Sequence, residues 1–200
     1  MSDESAGAHP GNEAELVELL GATGPAYELV AGGSKRGIGK PVDAPILDLS
    51  ALSGVVDYLP GERVLTARPA TTLAQIESLL ATQRQRLAFE PPTPVWSGDS
   101  AEQTLGGVLM ANCSGSRRLT AGSARDHFIG LRAVNGRGEA FVGGGRVVKN
   151  VTGFDLPKAL AGSWGTLAVL TEVTVRVVPA AEFERTLLFA VGGAQAAVEL

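Results

Sequence analysis

Four segments combine glycine with hydroxyl side chains: AGGSKRGIG at 31–39, TLGGVLMANCSGS at 104–116, RLTAGSARD at 118–126 and TGFDLPKALAGSWGTL at 152–167. Successive glycines let backbone N–H groups converge on an anion with no side chain in the way, and Ser34, Lys35, Thr104, Asn112, Ser114 and Ser116 can add donors. The chemistry this favours is the grip of a phosphate-like group. No segment fits GxGxxG opening a helix or GxxxxGK[ST], so neither a Rossmann dinucleotide site nor a nucleotide triphosphatase is indicated. Singly, each segment reads more readily as a plain turn. Four of them, widely separated and alike in composition, argue for a shared site.

Other residue types contribute less. A lone Cys113 excludes an internal disulfide and a CxxC pair. His9 and His127 are the only histidines; RDHFIGL leads into a strand, so His127 is a structural residue before it is a base. Lys149 and Lys158 read as solvated lysines, with neutralising an anion as the second option, and Trp96 and Trp164 as core residues, with stacking on a ring as the second option. Arg117, Arg118, Arg125 and Arg132 read as a charged face, with contact to a phosphate or partner as the second option.

The elements that must position these segments follow from pattern. Residues 1–11 read as a frayed tail, then Asn12 and Glu15 suggest a capping box opening the helix EAELVELLGA. YELVA at 27–31 and ILDL at 46–49 are strands flanking a Gly/Pro-rich loop. Pro60-Gly61 joins strands 55–59 and 63–67 into a hairpin, and Thr72 caps the helix LAQIESLLATQ. EPPTPVWSG at 90–98 is the best internal boundary. Beyond it, 101–110 approaches a helix, NGRG joins strands 129–134 and 140–142, and 155–160 is a helical turn or two. Residues 166–178 form the longest β-rich run, a further strand begins at Leu187, and AAVEL opens a helix.

Composition sets the outer limits. The 200 residues include 44% hydrophobic side chains, enough for a real core, and 26 glycines without a collagen period. The net charge of −4 argues against a nucleic-acid partner. Of the 17 basic residues 13 are arginine, a weak pointer to an anionic ligand. No apolar run reaches transmembrane length, and the acidic N-terminus has no signal-peptide core, so the expected location is the cytoplasm.

The order YELVAGGSKRGIG, TLGGVLMANCSG, AGSARDHFIGLRAVNGRGE and VVKNVTGFDLPKALAGSWGTLAVLTEVTVRVVP resembles the FAD-binding domain of the vanillyl-alcohol oxidase/p-cresol methylhydroxylase (PCMH) superfamily over about residues 25–180. Within that superfamily it is most similar to the FAD-binding small subunits of bacterial glycolate oxidases. The resemblance implies an α+β fold of two lobes gripping FAD: lobe 1 over 25–90, lobe 2 over 91–180, a tail and short helix over 1–24, and the start of a largely absent C-terminal cap domain over 181–200. It implies cofactor contacts at Gly32, Gly33, Ser34, Lys35, Arg36, Gly37, Ile38 and Gly39 around the pyrophosphate. Thr104, Leu105, Gly106 and Gly107 are expected along the ribityl stretch, and Ala111, Asn112, Ser114, Gly115 and Ser116 in a flavin-facing turn. Gly122 and Asp126 are expected near the pyrophosphate, and Gly162, Gly165, Thr166 and Val169 along the adenine half or the flavin edge.

The two matching loops lack the histidine through which many relatives link FAD, so non-covalent FAD is expected; Cys113 reads as a small packed thiol. The resemblance further implies a flavin subunit of a glycolate-oxidase-like 2-hydroxy-acid dehydrogenase, working in glycolate catabolism within a heteromer. Its partners are a larger FAD-binding subunit and an iron–sulfur subunit, through which it sits peripherally at the inner membrane. One cysteine cannot ligate a cluster, so that cluster belongs to a partner. No catalytic base is assigned, and the isolated chain is expected to be inactive. The alternatives are a non-catalytic assembly subunit of the same fold, or an FAD oxidoreductase acting on D-lactate, an aldonolactone or a sugar-nucleotide enolpyruvyl group.

Overall fold

The computed structural model describes residues 7–92, 102–145, 154–190, 193 and 195. Two sheets carry the fold. The smaller pairs β1 (Glu28–Val30) with β2 (Ile46–Asp48) in parallel. Ala8 extends it through a parallel bridge to Leu47, with Ala8 N–H on the Ile46 carbonyl at 2.9 Å and Asp48 N–H on the Ala8 carbonyl at 2.8 Å. Residues 7–11 are thus not the frayed tail their composition suggested. From there Asn12 caps α1 (Glu13–Gly21): its Oδ1 accepts the Glu15 N–H at 3.0 Å, and the Glu15 carboxylate accepts the Gly11 N–H at 2.7 Å.

The larger sheet is antiparallel. Its path runs β3 (Val55–Leu59), β4 (Val64–Ala67), β8 (Ala168–Pro179), β6 (Phe128–Asn135), β7 (Ala140–Gly144), and β5 (Gln85–Leu87) pairs with the far end of β8. Both expected hairpins form. At the second, the Asn135 side chain accepts the N–H groups of Arg137 and Glu139 at 2.8 and 3.1 Å, closing the NGRG turn. β8 is the spine: twelve β-branched-rich residues pair with β4, β6 and β5. Strands from both sides of residue 91 therefore share one sheet.

Helices cover the spine. Thr72 caps α2 (Leu73–Ala81) in a capping box with Gln75. α3 (Leu105–Ala111) follows Thr104, whose side chain accepts the Gly107 N–H. α6 (Leu156–Leu160) forms where one or two turns were expected. Two short helices, α4 (Arg118–Ala121) and α5 (Ala124–His127), and the strand β5 were not foreseen. The strand expected from Leu187 is not formed; 187–190 is exposed and unpaired, and AAVEL lies outside the described residues, as do Trp96 and Lys149. Two apolar clusters result. One packs Leu65, Ile76, Leu80, Leu105, Leu109, Phe128, Val173 and Val175 beneath the helices. The other joins Leu16 of α1 and Leu47 of β2 to Val134 and Val169 of the large sheet. The second cluster is what clamps the small sheet onto the large one.

Candidate functional site: a trench around Thr104

α3 is held between distant parts of the chain, and that arrangement makes the site. On its N-terminal side, Leu105 N–H donates to the Thr71 carbonyl (2.9 Å), Gly106 N–H to the Pro69 carbonyl (2.8 Å) and Leu73 N–H to the Gln103 carbonyl (2.9 Å). Gly33 bridges Glu102 in parallel, drawing in the loop that follows β1. On its C-terminal side, Gly162 N–H reaches the Leu109 carbonyl at 3.3 Å and Trp164 N–H the Met110 carbonyl at 2.9 Å. Three glycine segments far apart in sequence, 31–39, 104–107 and 162–166, are thereby stitched to one short helix.

Between them lies an open cleft of about 460 Å³, lined by Tyr27 through Arg36, Ile38, Lys40, Val42, Thr104, Gly107 and Trp164 through Thr166. A recess of about 140 Å³ continues inward past Leu29, Lys35, Pro69, Gly106, Gly107, Met110, Ala111, Gly165 and Val169. A third hollow of about 340 Å³ opens on the other side of Gly32, along Ser50, Ser53, Ala70, Thr72, Gln75 and Glu102. Thr104 borders all three. The trench follows the C-terminal end of β1, the usual place for a ligand beside parallel strands.

The glycines divide by what a side chain would strike. A Cβ on Gly32 would lie 1.9 Å from the Glu102 carbonyl oxygen, on Gly106 2.5 Å from Pro69 Cβ, and on Gly115 2.2 Å from the Glu90 carbonyl oxygen. Backbone packing alone requires these three to be bare. Gly107 differs: its Cβ would meet Thr104 Oγ1 at 3.1 Å and Lys35 Nζ at 3.8 Å, so it would enter the trench.

The cations also divide. Arg36 is bound to Glu28 through two contacts, Nε to Oε1 at 2.8 Å and Nη2 to Oε2 at 2.9 Å, which offsets its charge. Lys35 borders both cleft and recess, and its Nζ donates to Ser34 Oγ at 3.1 Å. Among the described residues no carboxylate pairs with it. Burial pushes its ammonium below the ordinary lysine range, with the neighbouring Cys113 opposing in part. A half-buried cation without a counter-charge, facing a hollow, is a seat for an anion.

Not every expected residue comes to the trench. Gly32, Gly33, Ser34, Lys35, Arg36, Ile38, Thr104, Gly106, Gly107, Ala111, Gly165, Thr166 and Val169 line it; Gly37, Gly39, Leu105, Asn112, Ser114, Gly115, Ser116, Gly122, Asp126 and Gly162 do not. Leu105 is fully buried core. Asn112 and Ser114 spend their side chains on Arg125 N–H (3.0 Å) and Ala124 N–H (2.9 Å). Asp126 accepts the Ser123 N–H and hydroxyl at 2.7 and 2.8 Å, and these bonds hold its carboxyl below the usual range. His127 is structural, as expected: it is buried, donates from Nε2 to the Ala121 carbonyl at 2.7 Å, and burial lowers its pKa. Arg132 pairs with Glu13 at 2.6 Å, Arg117 with Glu90 and Glu184 at 3.4 and 3.6 Å, and Lys158 with Asp155 at 3.1 Å.

Sequence reasoning missed the walls: Tyr27 just ahead of β1, Leu29 and Val30 within it, Pro69 and Ala70 from the β4–α2 link, and Met110. Trp164 is the one correction of character. Core packing was the first expectation and stacking on a ring the second; Trp164 is not core, for it borders both cleft and recess with 48% of its surface open.

A long trench with bare backbone, a half-buried anion-seeking cation in Lys35, a second lysine, Lys40, in its lining, and apolar walls of Leu29, Val30, Met110 and Val169 suits a ligand with both phosphates and flat rings. Comparison with known proteins agrees. The chain belongs to the FAD binding domain family, whose model matches residues 6–144, and FAD is its cofactor; this is the PCMH-type superfamily. Among curated relatives it is 39% identical to glycolate oxidase subunit GlcE of Escherichia coli (strain K12) over 84% of this chain and 47% of that protein. It is 36% identical to glycolate oxidase subunit GlcD of Bacillus subtilis (strain 168) over 64% of this chain and 26% of that protein. The chain thus spans about half the length of the first of these relatives or less. A solved alkyldihydroxyacetonephosphate synthase shares the fold, with a TM-score of 0.66 at 21% identity over 86% of this chain and 33% of that one.

Proposed function

We propose that this chain is the FAD-binding part of a glycolate-oxidase-like 2-hydroxy-acid dehydrogenase, with FAD held non-covalently in the trench around Thr104. The observation that carries the reading is the convergence of three glycine segments on α3 with Lys35 left unpaired by any carboxylate among the described residues. Names of relatives support the substrate class: two glycolate oxidase subunits, and a D-lactate dehydrogenase of Archaeoglobus fulgidus at 37% identity. When bound, FAD supplies a two-electron acceptor for the hydride of the hydroxy acid.

The chain's own residues do the holding. Lys35 and Ser34 seat the pyrophosphate, and Glu28 keeps Arg36 in place so that the loop stays shaped. Leu29, Val30, Met110 and Val169 keep water from the ring. No histidine borders the trench, which supports non-covalent binding. Among the described residues its titratable lining is Tyr27, Glu28, Lys35, Arg36, Lys40 and Glu102, with no imidazole, and Glu28 is held by Arg36. In this reading the base for the substrate hydroxyl comes from residues other than this lining, such as those of a larger flavin subunit. The two lobes expected over 25–90 and 91–180 are then redrawn as the small sheet and the large sheet, and the cofactor is gripped between these. The assembly is a cytoplasmic heteromer with an iron–sulfur subunit, peripheral at the inner membrane. Among the described residues, no helix is long and apolar enough to cross a membrane.

Heat-denaturing the purified chain tests the reading: FAD in the supernatant at near one equivalent supports it, and a protein that never takes up FAD sinks it. The chain alone should oxidise glycolate at a negligible rate. A second reading, a non-catalytic assembly subunit, draws on the exposed run Phe183, Leu187, Leu188 and Phe189. It would show as colourless protein that still co-purifies with a larger flavin subunit.

A further inference from the structure

Trp164 pairs strain with exposure. Its φ of +56 lies in the left-handed region, which a bulky aromatic residue seldom occupies and a glycine occupies freely. Hydrogen bonds hold it there: Trp164 N–H on the Met110 carbonyl at 2.9 Å, and the Thr166 N–H and hydroxyl on the Ser163 carbonyl at 3.0 and 2.7 Å. A large apolar residue in such a conformation usually gains burial in return. Trp164 does not; it borders the cleft and the recess, and no aromatic ring stacks on it among the described residues. Strain of this kind collects where a side chain has a ligand to meet.

We propose that Trp164 stacks on one of the two flat ring systems of FAD; this deepens the cofactor reading and rests on it. Charge divides the trench between the two parts of that ligand. Lys35 borders the same two cavities and takes the phosphates, which the electron-rich face of an indole disfavours. What the indole accepts is a planar, uncharged ring, held in a place where the backbone has already fixed its position. Trp164 is then a cofactor-binding residue, rigid before the ligand arrives.

The test uses the full chain stripped of flavin, with FAD affinity read by calorimetry and apoprotein stability by thermal melting. Trp164→Ala and Trp164→Gly should weaken FAD binding by about 5- to 150-fold, the range that loss of one ring stack gives. Trp164→Phe should stay within about threefold of the original, by keeping a ring at the same place. Trp164→Gly should at the same time raise the melting temperature of the apoprotein, because the left-handed strain is released. Opposite movement of affinity and stability marks a binding role. ADP and FMN as separate probes identify the ring: the one whose affinity falls in Trp164→Gly is the one that stacks. Unchanged FAD affinity in both Trp164→Ala and Trp164→Gly, or a fall in affinity and melting temperature together in Trp164→Gly, overturns the proposal. An original chain that binds no FAD overturns the cofactor reading instead, and this inference with it.

Discussion

Residues 31–39 and 118–127 look alike as sequence. Each mixes glycine with serine and arginine, and both were expected beside the pyrophosphate. In the structure they part company. The segment 118–127 ties down its donors, within itself and on the end of α3, and leaves only the buried His127 Nδ1 without a partner among these groups: Asp126 takes the Ser123 N–H and hydroxyl, His127 donates from Nε2 to Ala121, and the Ala124 and Arg125 N–H groups go to Ser114 and Asn112. It is a knot that buttresses the end of α3. The loop 31–39 consumes Arg36 on Glu28 but leaves Lys35 with only the hydroxyl of Ser34, at the edge of a cleft. Composition is the same in kind; what separates a support from a site is whether the chain satisfies its own donors.

Substitutions sharpen that contrast. The largest effect is expected at Gly32→Val, where the new Cβ would fall 1.9 Å from the Glu102 carbonyl oxygen. The outcome is loss of folded protein, read as a collapse of soluble yield and of the thermal transition. Gly107→Val comes next. Its Cβ enters the trench near Thr104 Oγ1 and Lys35 Nζ, so the variant should fold yet purify without flavin; full flavin content with an unchanged melt would erase the distinction between packing and lining glycines.

Lys35→Met should weaken FAD binding by at least about tenfold, the order of one charge-assisted contact, and Arg36→Met by clearly less. The same lysine gives a pH signature. Burial depresses its pKa in the folded chain, so between that value and the ordinary lysine range the unfolded chain holds more protons. Apoprotein stability from Lys35 therefore rises with pH through that window, while FAD affinity falls as the ammonium is lost. Denaturant titrations of the original chain and Lys35→Met across alkaline pH check both signs. The smallest effect belongs to the knot: Asp126→Asn should cost about 1 kcal/mol of stability, as a lost helix cap does, with FAD affinity unchanged. For the original chain, that Asp126 contribution should fade as pH drops through its depressed pKa, measurable by acid denaturation.

Much of this was legible in the sequence, for reasons that differ by element. Asn12 and Thr72 announced their helices because capping is a short-range bond. Pro60-Gly61 and NGRG announced their hairpins because turn chemistry is local. The three-residue β5 carries no such mark; it exists only because the far end of β8 offers a pairing edge. The trench was half legible. Its glycine floor showed, since the motif order is specific, but Leu29, Pro69 and Met110 looked like any core residues until the fold brought them to one wall. For Trp164 the sequence favoured the interior over a ring contact, because an aromatic in a β-rich neighbourhood defaults to the core; its left-handed backbone is set by the tertiary bond to Met110.

β8 fixes the order in which the molecule can be made. β4 leaves the ribosome about a hundred residues before the strand it must lie against, and β6 some forty before, so each has only its hairpin partner until the chain is out to about residue 176. Until then the hairpin 55–67 and the strand 128–135 present raw edges to every other nascent chain. Assembly of the trench is thus a late, all-at-once event in biosynthesis. A message interrupted before codon 168 would yield a sticky fragment rather than a weaker binder.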